Sequence, residues 1–230
     1  MQRDEYSEER EEMVAVVAGI VAQLAEQLGQ EELDSDVLRT MLKVPRHLFV
    51  PDEAVPYAYA NTPLPIGHGK TISQPFIVAL MTDLLDVKPR DKVLEIGTGL
   101  GYQAAILSAL AGRVYTVEIV EDLARQAAER LRAQGCGNIK LRVGDGSNGW
   151  AEEAPFDKIL LAAAPELIPP MILHQLKPGG RMVVPAGIAD AQSLILVEKD
   201  LAGRSHTREI LPVRFLPLEV PGEDEEWDED

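Results

Sequence analysis

Val93-Leu94-Glu95-Ile96-Gly97-Thr98-Gly99-Leu100-Gly101-Tyr102 is the stretch on which the fold turns. Val93 to Ile96 read as a short buried strand. Three glycines at alternate positions then let the chain bend sharply and bring bare backbone close to a ligand. Tyr102 to Ala111 follow as an apolar helix. Outward from this unit the alternation continues. Val114 to Val117 form a second strand, Val120 to Gln134 a helix, Ile139 to Val143 a third strand and Phe156 to Leu161 a fourth. The helix Pro169 to Leu176 leads through Lys177-Pro178-Gly179-Gly180 into a fifth strand, Arg181 to Pro185. Ser193 to Lys199 and Ile210 to Leu216 read as two closing strands. Strands alternating with helices predict a parallel sheet covered by helices on both faces.

Upstream the texture differs. Glu8 to Gln30 carry apolar residues at Val14, Val17, Ile20, Val21, Leu24 and Leu28, close to a 3.6-residue period, which predicts a helix with one buried face. Ser35 to Lys43 read as a short helix, capped by Asp34 or Ser35 and stopped before Pro45. From Pro45 to Pro75, prolines at 45, 51, 56, 63, 65 and 75 and glycines at 67 and 69 interrupt regular structure. A loop this long inside a compact domain points to function. A helix from about Gln74 to Leu85 closes the segment. The predicted fold is α/β: a Rossmann-like, doubly wound, mostly parallel seven-stranded sheet, with an N-terminal helical and loop addition. Residues 1–90 form the addition and residues 91–218 the core, together one structural domain. The acidic run Glu219 to Asp230, with its lone Trp227, reads as a solvated, frayed tail.

The chain has 230 residues, 46% of them hydrophobic and 26% charged, enough for one sizeable core. No apolar run reaches the roughly 18–20 residues of a membrane span; Met13 to Leu28 is broken by Gln23, Glu26 and Gln27. Arg3-Asp4-Glu5 has the wrong charge for a secretory signal. The single cysteine, Cys136, allows no internal disulfide and fits a reducing compartment. A cytoplasmic protein is expected. The formal net charge of -16 disfavours a nucleic-acid partner. His47, His68, His174 and His206 lack metal-ligand spacing, so no metal is expected.

Ligands of open parallel sheets bind beyond the carboxyl ends of the strands, where strand order reverses, and the Gly97 turn is placed there. A dinucleotide fingerprint, G-x-G-x-x-G, would need glycine at position 102, which is Tyr102. Glu118 ends the second strand about 20 residues beyond the loop, where a carboxylate can accept both hydroxyls of a ribose. Asp145, in Gly144-Asp145-Gly146, can accept from an adenine amino group at the end of the third strand; alternatively it serves a tight turn.

Glu95-x-Gly97-x-Gly99-x-Gly101 resembles the first motif of the class I methyltransferases, which implies S-adenosylmethionine as cofactor and S-adenosylhomocysteine as product. The loop Pro63-Leu64-Pro65-Ile66-Gly67-His68-Gly69-Lys70-Thr71-Ile72-Ser73-Gln74-Pro75 resembles the signature of the protein-L-isoaspartate (D-aspartate) O-methyltransferases. Further matches are Val44 to Pro51, Gly144 to Trp150, Ala162 to Pro165, Leu176 to Arg181 and Leu211 to Phe215. Together they extend the resemblance from about Val37 to Leu218. Lys70 departs from the glutamine most often met there in bacterial members. The resemblance implies methyl transfer to the α-carboxylate of L-isoaspartyl residues in damaged proteins and peptides, with repair through a succinimide. It implies Ser73 as the catalytic residue, with Thr71, Ile72 and His68 on the substrate side. Gly97, Thr98, Gly99, Gly101, Glu118, Asp145, Gly146 and Gln74 fall on the cofactor side. Ser73 also suits a helix N-cap, since it precedes Gln74-Pro75. A monomer acting on proteins, without membrane or nucleic acid, is expected. The rival readings are a class I methyltransferase for another carboxylate, small molecule or RNA, a non-catalytic S-adenosylmethionine-binding protein, and a nicotinamide dehydrogenase.

Overall fold

The computed structural model describes residues 5–220, so most of the acidic tail, including Trp227, lies outside the described residues. Helix α1 (Ser7–Gln23) breaks at Leu24 and resumes as the single turn α2 (Ala25–Leu28), which Gly29 ends in the left-handed conformation at φ 73°. The periodic run from Glu8 is thus two helices, the second ended by a glycine free to adopt that geometry. Helix α3 (Ser35–Lys43) has the expected bounds, with the Asp34 carboxylate accepting from the Asp36 N–H at 2.7 Å.

The Pro-rich segment is more ordered than its composition predicts. Two short 3₁₀ turns (Arg46–Phe49 and Asp52–Tyr57) lead into the hairpin β1 (Leu64–Gly67) and β2 (Lys70–Ile72). His68 and Gly69 make its two-residue turn with φ of 52° and 67°, both positive, as the twist of a tight hairpin requires. Helix α4 (Pro75–Leu85) then enters the core.

The sheet comprises β3 (Lys92–Ile96), β4 (Arg113–Glu118), β5 (Ile139–Val143), β6 (Phe156–Leu161), β7 (Leu176–Ile188), β8 (Ala191–Lys199) and β9 (Ser205–Val213). Helices α5 (Tyr102–Leu110), α6 (Glu121–Ala133) and α7 (Pro170–Gln175) connect its parallel part. Among the described residues the strand order is β5-β4-β3-β6-β7-β8-β9, parallel as far as β7 and antiparallel in its last two pairs. Lys177 to Gly180, read as a turn, instead bulge out of β7 between the Phe156–Leu176 and Lys158–Arg181 pairs. The last strand begins at Ser205, five residues before the apolar run that suggested it. Ser205 to Glu209 are exposed on this edge strand, and only backbone pairing with β8 makes them a strand.

Alternation along β3 sends Val93 to one face and Leu94 and Ile96 to the other. On the first face one apolar cluster runs from Met13 through α4 and α5 to Val183 and Ile210, so the N-terminal helices and the sheet share a core. The second face is thinner, with Leu94, Tyr115, Ile159 and Met182 packed under Trp150 and Ile172. Each such Leu or Ile contributes roughly 1.5–3 kcal/mol on burial. From β3 the chain steps outward to β5 and then returns to lay β6 on the other side of β3. Strand order therefore reverses at the carboxyl end of β3, where Gly97 stands.

Candidate active site

The loop after β3 is held by its own backbone. Gly97 donates to the Val117 carbonyl (2.8 Å), Gly101 to the Thr98 carbonyl (2.9 Å) and Gly99 to the Glu118 carboxylate (2.7 Å). Gly99 sits at φ 55° and Gly101 at φ 97°, and a Cβ on Gly101 would press on Leu131 at 3.1 Å. Gly101 therefore serves the packing of α5 on α6 and stands behind the cavity, whereas Gly97, Thr98 and Gly99 line it.

Beneath the loop lies a buried polar chain. Thr116 donates to Glu95 (2.5 Å), and the Thr98 and Thr116 hydroxyls are 2.6 Å apart. Glu95 is fully buried with one unpartnered oxygen, and burial pushes its carboxyl up to about 8 despite the Thr116 bond, with the Glu118 charge adding to the rise. The folded chain thus keeps a proton at pH 7 that the unfolded chain has lost. This contribution to stability is fully present below about 4.5 and is lost as pH rises through about 8. Glu95→Gln has no proton to lose and is expected to be more stable at pH 7 by about 2–3 kcal/mol. In urea titrations across pH the advantage should vanish near pH 4 and level off above pH 8. A difference independent of pH would show that Glu95 is ionised in the fold.

Glu118 ends β4 almost fully buried, and its second oxygen accepts from the Val120 N–H at 3.0 Å. Both oxygens are thus fixed by backbone donors at the cavity wall, with lone pairs to spare. Asp145 bonds the Ser147 N–H (2.7 Å), the Ser147 hydroxyl (2.8 Å) and the Asn148 amide (2.9 Å). It is not among the cavity-lining residues, but the turn it builds presents Gly146, which is. A Cβ at Gly146 would collide with Ile96.

Across the cavity stand Thr71, Ile72, Ser73 and Gln74, at the end of the hairpin and the start of α4. The N-cap of α4 is Gln74, and the first-turn Phe76 N–H is taken by the Asn61 side chain at 3.0 Å. Ser73 is thereby released from capping, and among the described residues its hydroxyl has no hydrogen-bond partner. His68 lies outside the cavity: its turn conformation swings the ring to Asp122, 3.1 Å away. That bond, with those from Arg125 and Gln126, draws the exposed Asp122 carboxyl down to about 2. The hairpin is in this way pinned to the start of α6.

The remaining wall is a strap, residues 211–219, that Sequence motifs alone did not give a role. The Phe215 N–H donates to the Gln192 side chain (2.7 Å), while Ala164 donates to the Leu216 carbonyl and accepts from the Leu218 N–H, each at 2.9 Å. Lys70 reaches over from the hairpin to pair with Glu219. Arg214 lines the cavity without an ion-pair partner among the described residues. A basic residue just past the end of the last strand, which stops at Val213, was the available signal.

These walls enclose about 880 Å³, within the roughly 300–1,000 Å³ usual for cofactor and substrate sites. A nucleoside cofactor fits the donor set: bare backbone at Gly97 and Gly99 on one side, and a fixed carboxylate at the end of the next strand on the other. Among the described residues no group of His, Cys, Asp or Glu is placed to hold a metal ion. Fold and site together define a Rossmann-like methyltransferase. The family model for protein-L-isoaspartate(D-aspartate) O-methyltransferase matches residues 20–222. Protein-L-isoaspartate O-methyltransferase 1 of Polaromonas sp. strain JS666 is 56% identical over 219 residues, covering 95% of this chain and 93% of its own. The enzyme of the same name from Cupriavidus necator is 54% identical over 216 residues, 94% of this chain and 83% of its own. A solved protein-L-isoaspartate O-methyltransferase superposes with a TM-score of 0.76 at 26% identity, over 89% of this chain and 65% of that one. The chain belongs to the protein-L-isoaspartate O-methyltransferase family. It is an S-adenosylmethionine-dependent enzyme of isoaspartyl repair.

Proposed function

We propose that Ser73 holds the isoaspartyl carboxylate in line with the methyl donor, and that this hold lets the enzyme choose L-isoaspartyl over normal aspartyl residues. The observation that carries the reading is the Ser73 hydroxyl, unpartnered among the described residues and at the wall of the same cavity as Gly97 and Glu118. A carboxylate with a pKa near 4 is already a nucleophile at neutral pH, so alignment and exclusion of water matter more than a general base. Bound S-adenosylmethionine supplies a sulfonium-borne, electrophilic methyl group. Glu118 would accept from its ribose hydroxyls, and the Gly97–Gly99 backbone, Thr98 and Gln74 would line its amino-acid end. Gly146 would leave room for the adenine, and Asp145 would offer its exocyclic amino group the one acceptor site its three internal bonds leave open. Thr71 and Ile72 would shape the pocket beside Ser73, and Arg214 would balance the carboxylate charge. His68 would act on substrate only through the hairpin that it pins.

In the proposed division of labour residues 1–90 supply most of the peptide side and residues 91–218 most of the cofactor side, with Gln74 and Arg214 crossing over, and Glu219 stands at the end of the strap. A cytoplasmic monomer, with no nucleic-acid partner, accords with the single cysteine and the charge of -16. Among the described residues no helix is long and apolar enough to cross a membrane.

Incubation with labelled S-adenosylmethionine and paired peptides that differ only in L-isoaspartate or L-aspartate tests the selectivity. We expect label in the isoaspartyl peptide at least 100-fold above its partner, the range open to a site that would otherwise leave polar groups unpaired. Equal labelling would sink the proposal.

A further inference from the structure

Arg46 opens the first 3₁₀ turn and is fully buried, yet no carboxylate pairs with it among the described residues. Its Nε donates to the Ala58 carbonyl and its Nη2 to the Ser73 carbonyl, each at 2.8 Å. Ala58 and Ser73 bracket the excursion that contains the whole β1–β2 hairpin, so one planar fork ties both ends of its neck. The same guanidinium lies 4.9 Å from the centroid of Tyr102, the first helical residue after the glycine loop. Among the described residues, the Arg46 Nη1 and the Tyr102 hydroxyl have no hydrogen-bond partner. A buried cation without a counter-ion is costly to desolvate, and its two carbonyl bonds offset part of that cost. The fork is therefore read as having a use besides stability. The Ser73–Gln74 peptide supplies one: with its carbonyl turned to Arg46, the trans geometry turns the Gln74 N–H the opposite way, and among the described residues no acceptor takes that N–H. Lys could offer the charge, but not two donors in a rigid fork.

We propose that Arg46 is a positioning residue for methyl transfer: it closes the neck of the hairpin and sets Ser73 against the cofactor loop through Tyr102. The inference rests on the reading of Ser73 as the carboxylate holder.

Arg46→Met separates positioning from bracing. We expect its melting temperature to fall by no more than a few degrees, the two lost carbonyl bonds being offset by removal of a buried charge, and its affinity for S-adenosylhomocysteine to stay within about threefold. Turnover of an isoaspartyl peptide should fall about 100-fold, as an ångström of misplacement does, with KM changed far less. Should Arg46→Met not fold, Arg46→Lys decides by the same readings. In Arg46→Gly, millimolar guanidinium should restore at least tenfold of the lost turnover, and ammonium should not. Unchanged kcat in the Met or Lys variant overturns the proposal. So does loss of melting temperature, cofactor affinity and turnover in parallel, which marks a brace. Ser73→Ala run alongside separates the two readings. Full activity there removes the carboxylate holder, whereas an impaired Ser73→Ala beside a normal Arg46→Met removes the Arg46 proposal alone.

Discussion

Glu118→Gln is expected to lower the affinity for S-adenosylmethionine about 100-fold at a cost of only about 1–2 kcal/mol of stability. The two effects have separate causes. In the fold the carboxylate accepts from the Gly99 and Val120 N–H groups, at 2.7 and 3.0 Å. An amide can serve one of these donors but opposes the other with its own N–H. Toward the ligand, two charge-assisted hydrogen bonds become at best one neutral one. A bond to a charged group is worth roughly 1.5–3 kcal/mol against 0.5–1.5 for a neutral pair, so about 2–3 kcal/mol is lost. At 1.4 kcal/mol per tenfold that is about two orders of magnitude. Calorimetric titration with S-adenosylmethionine or S-adenosylhomocysteine measures it directly. An affinity within threefold of the unmodified enzyme would take Glu118 out of the ribose site.

Ser73→Ala should behave in the opposite way, sparing cofactor and fold while lowering methyl transfer about 30- to 100-fold. The hydroxyl makes no hydrogen bond among the described residues, and Asn61 rather than Ser73 serves the start of α4 at 3.0 Å. Stability should therefore change by no more than about 0.5 kcal/mol. In the proposed complex the hydroxyl donates to a carboxylate, a bond worth roughly 1.5–3 kcal/mol, and it helps hold the attacking oxygen in line. Single-turnover rates on an isoaspartyl peptide, set beside the Kd for S-adenosylhomocysteine, distinguish the effects. The role fails if the rate is unchanged or if cofactor affinity falls as far as the rate.

Much of the site was legible because it is local in the chain. The strand, the glycine turn and the helix from Val93 to Leu110 follow one another without a break, and a short apolar run before alternating glycines has few structural solutions. Glu118 was legible because the next strand of a right-handed crossover must end beside that turn. Ser73 was visible as a motif, but its sequence suited a cap equally well. Asn61, 15 residues before Phe76, takes the N–H that a capping Ser73 would have used. His68 was drawn toward the pocket by its neighbours in sequence, while the positive φ of a tight turn directs its ring to Asp122.

Alternating hydrophobicity, glycine spacing and the position of acids at strand ends were sufficient, in the sequence by itself, for the α/β architecture and the place of the cofactor loop. Those signals depend on backbone geometry within a few residues. Tertiary structure alone decided the antiparallel edge through Ser205 to Glu209, the strap that brings Arg214 to the cavity, and the guanidinium of Arg46 joining Ala58, Ser73 and Tyr102. Each of these depends on contacts between segments far apart in the chain, and a side chain's partners there are set by how the layers pack rather than by its neighbours in sequence.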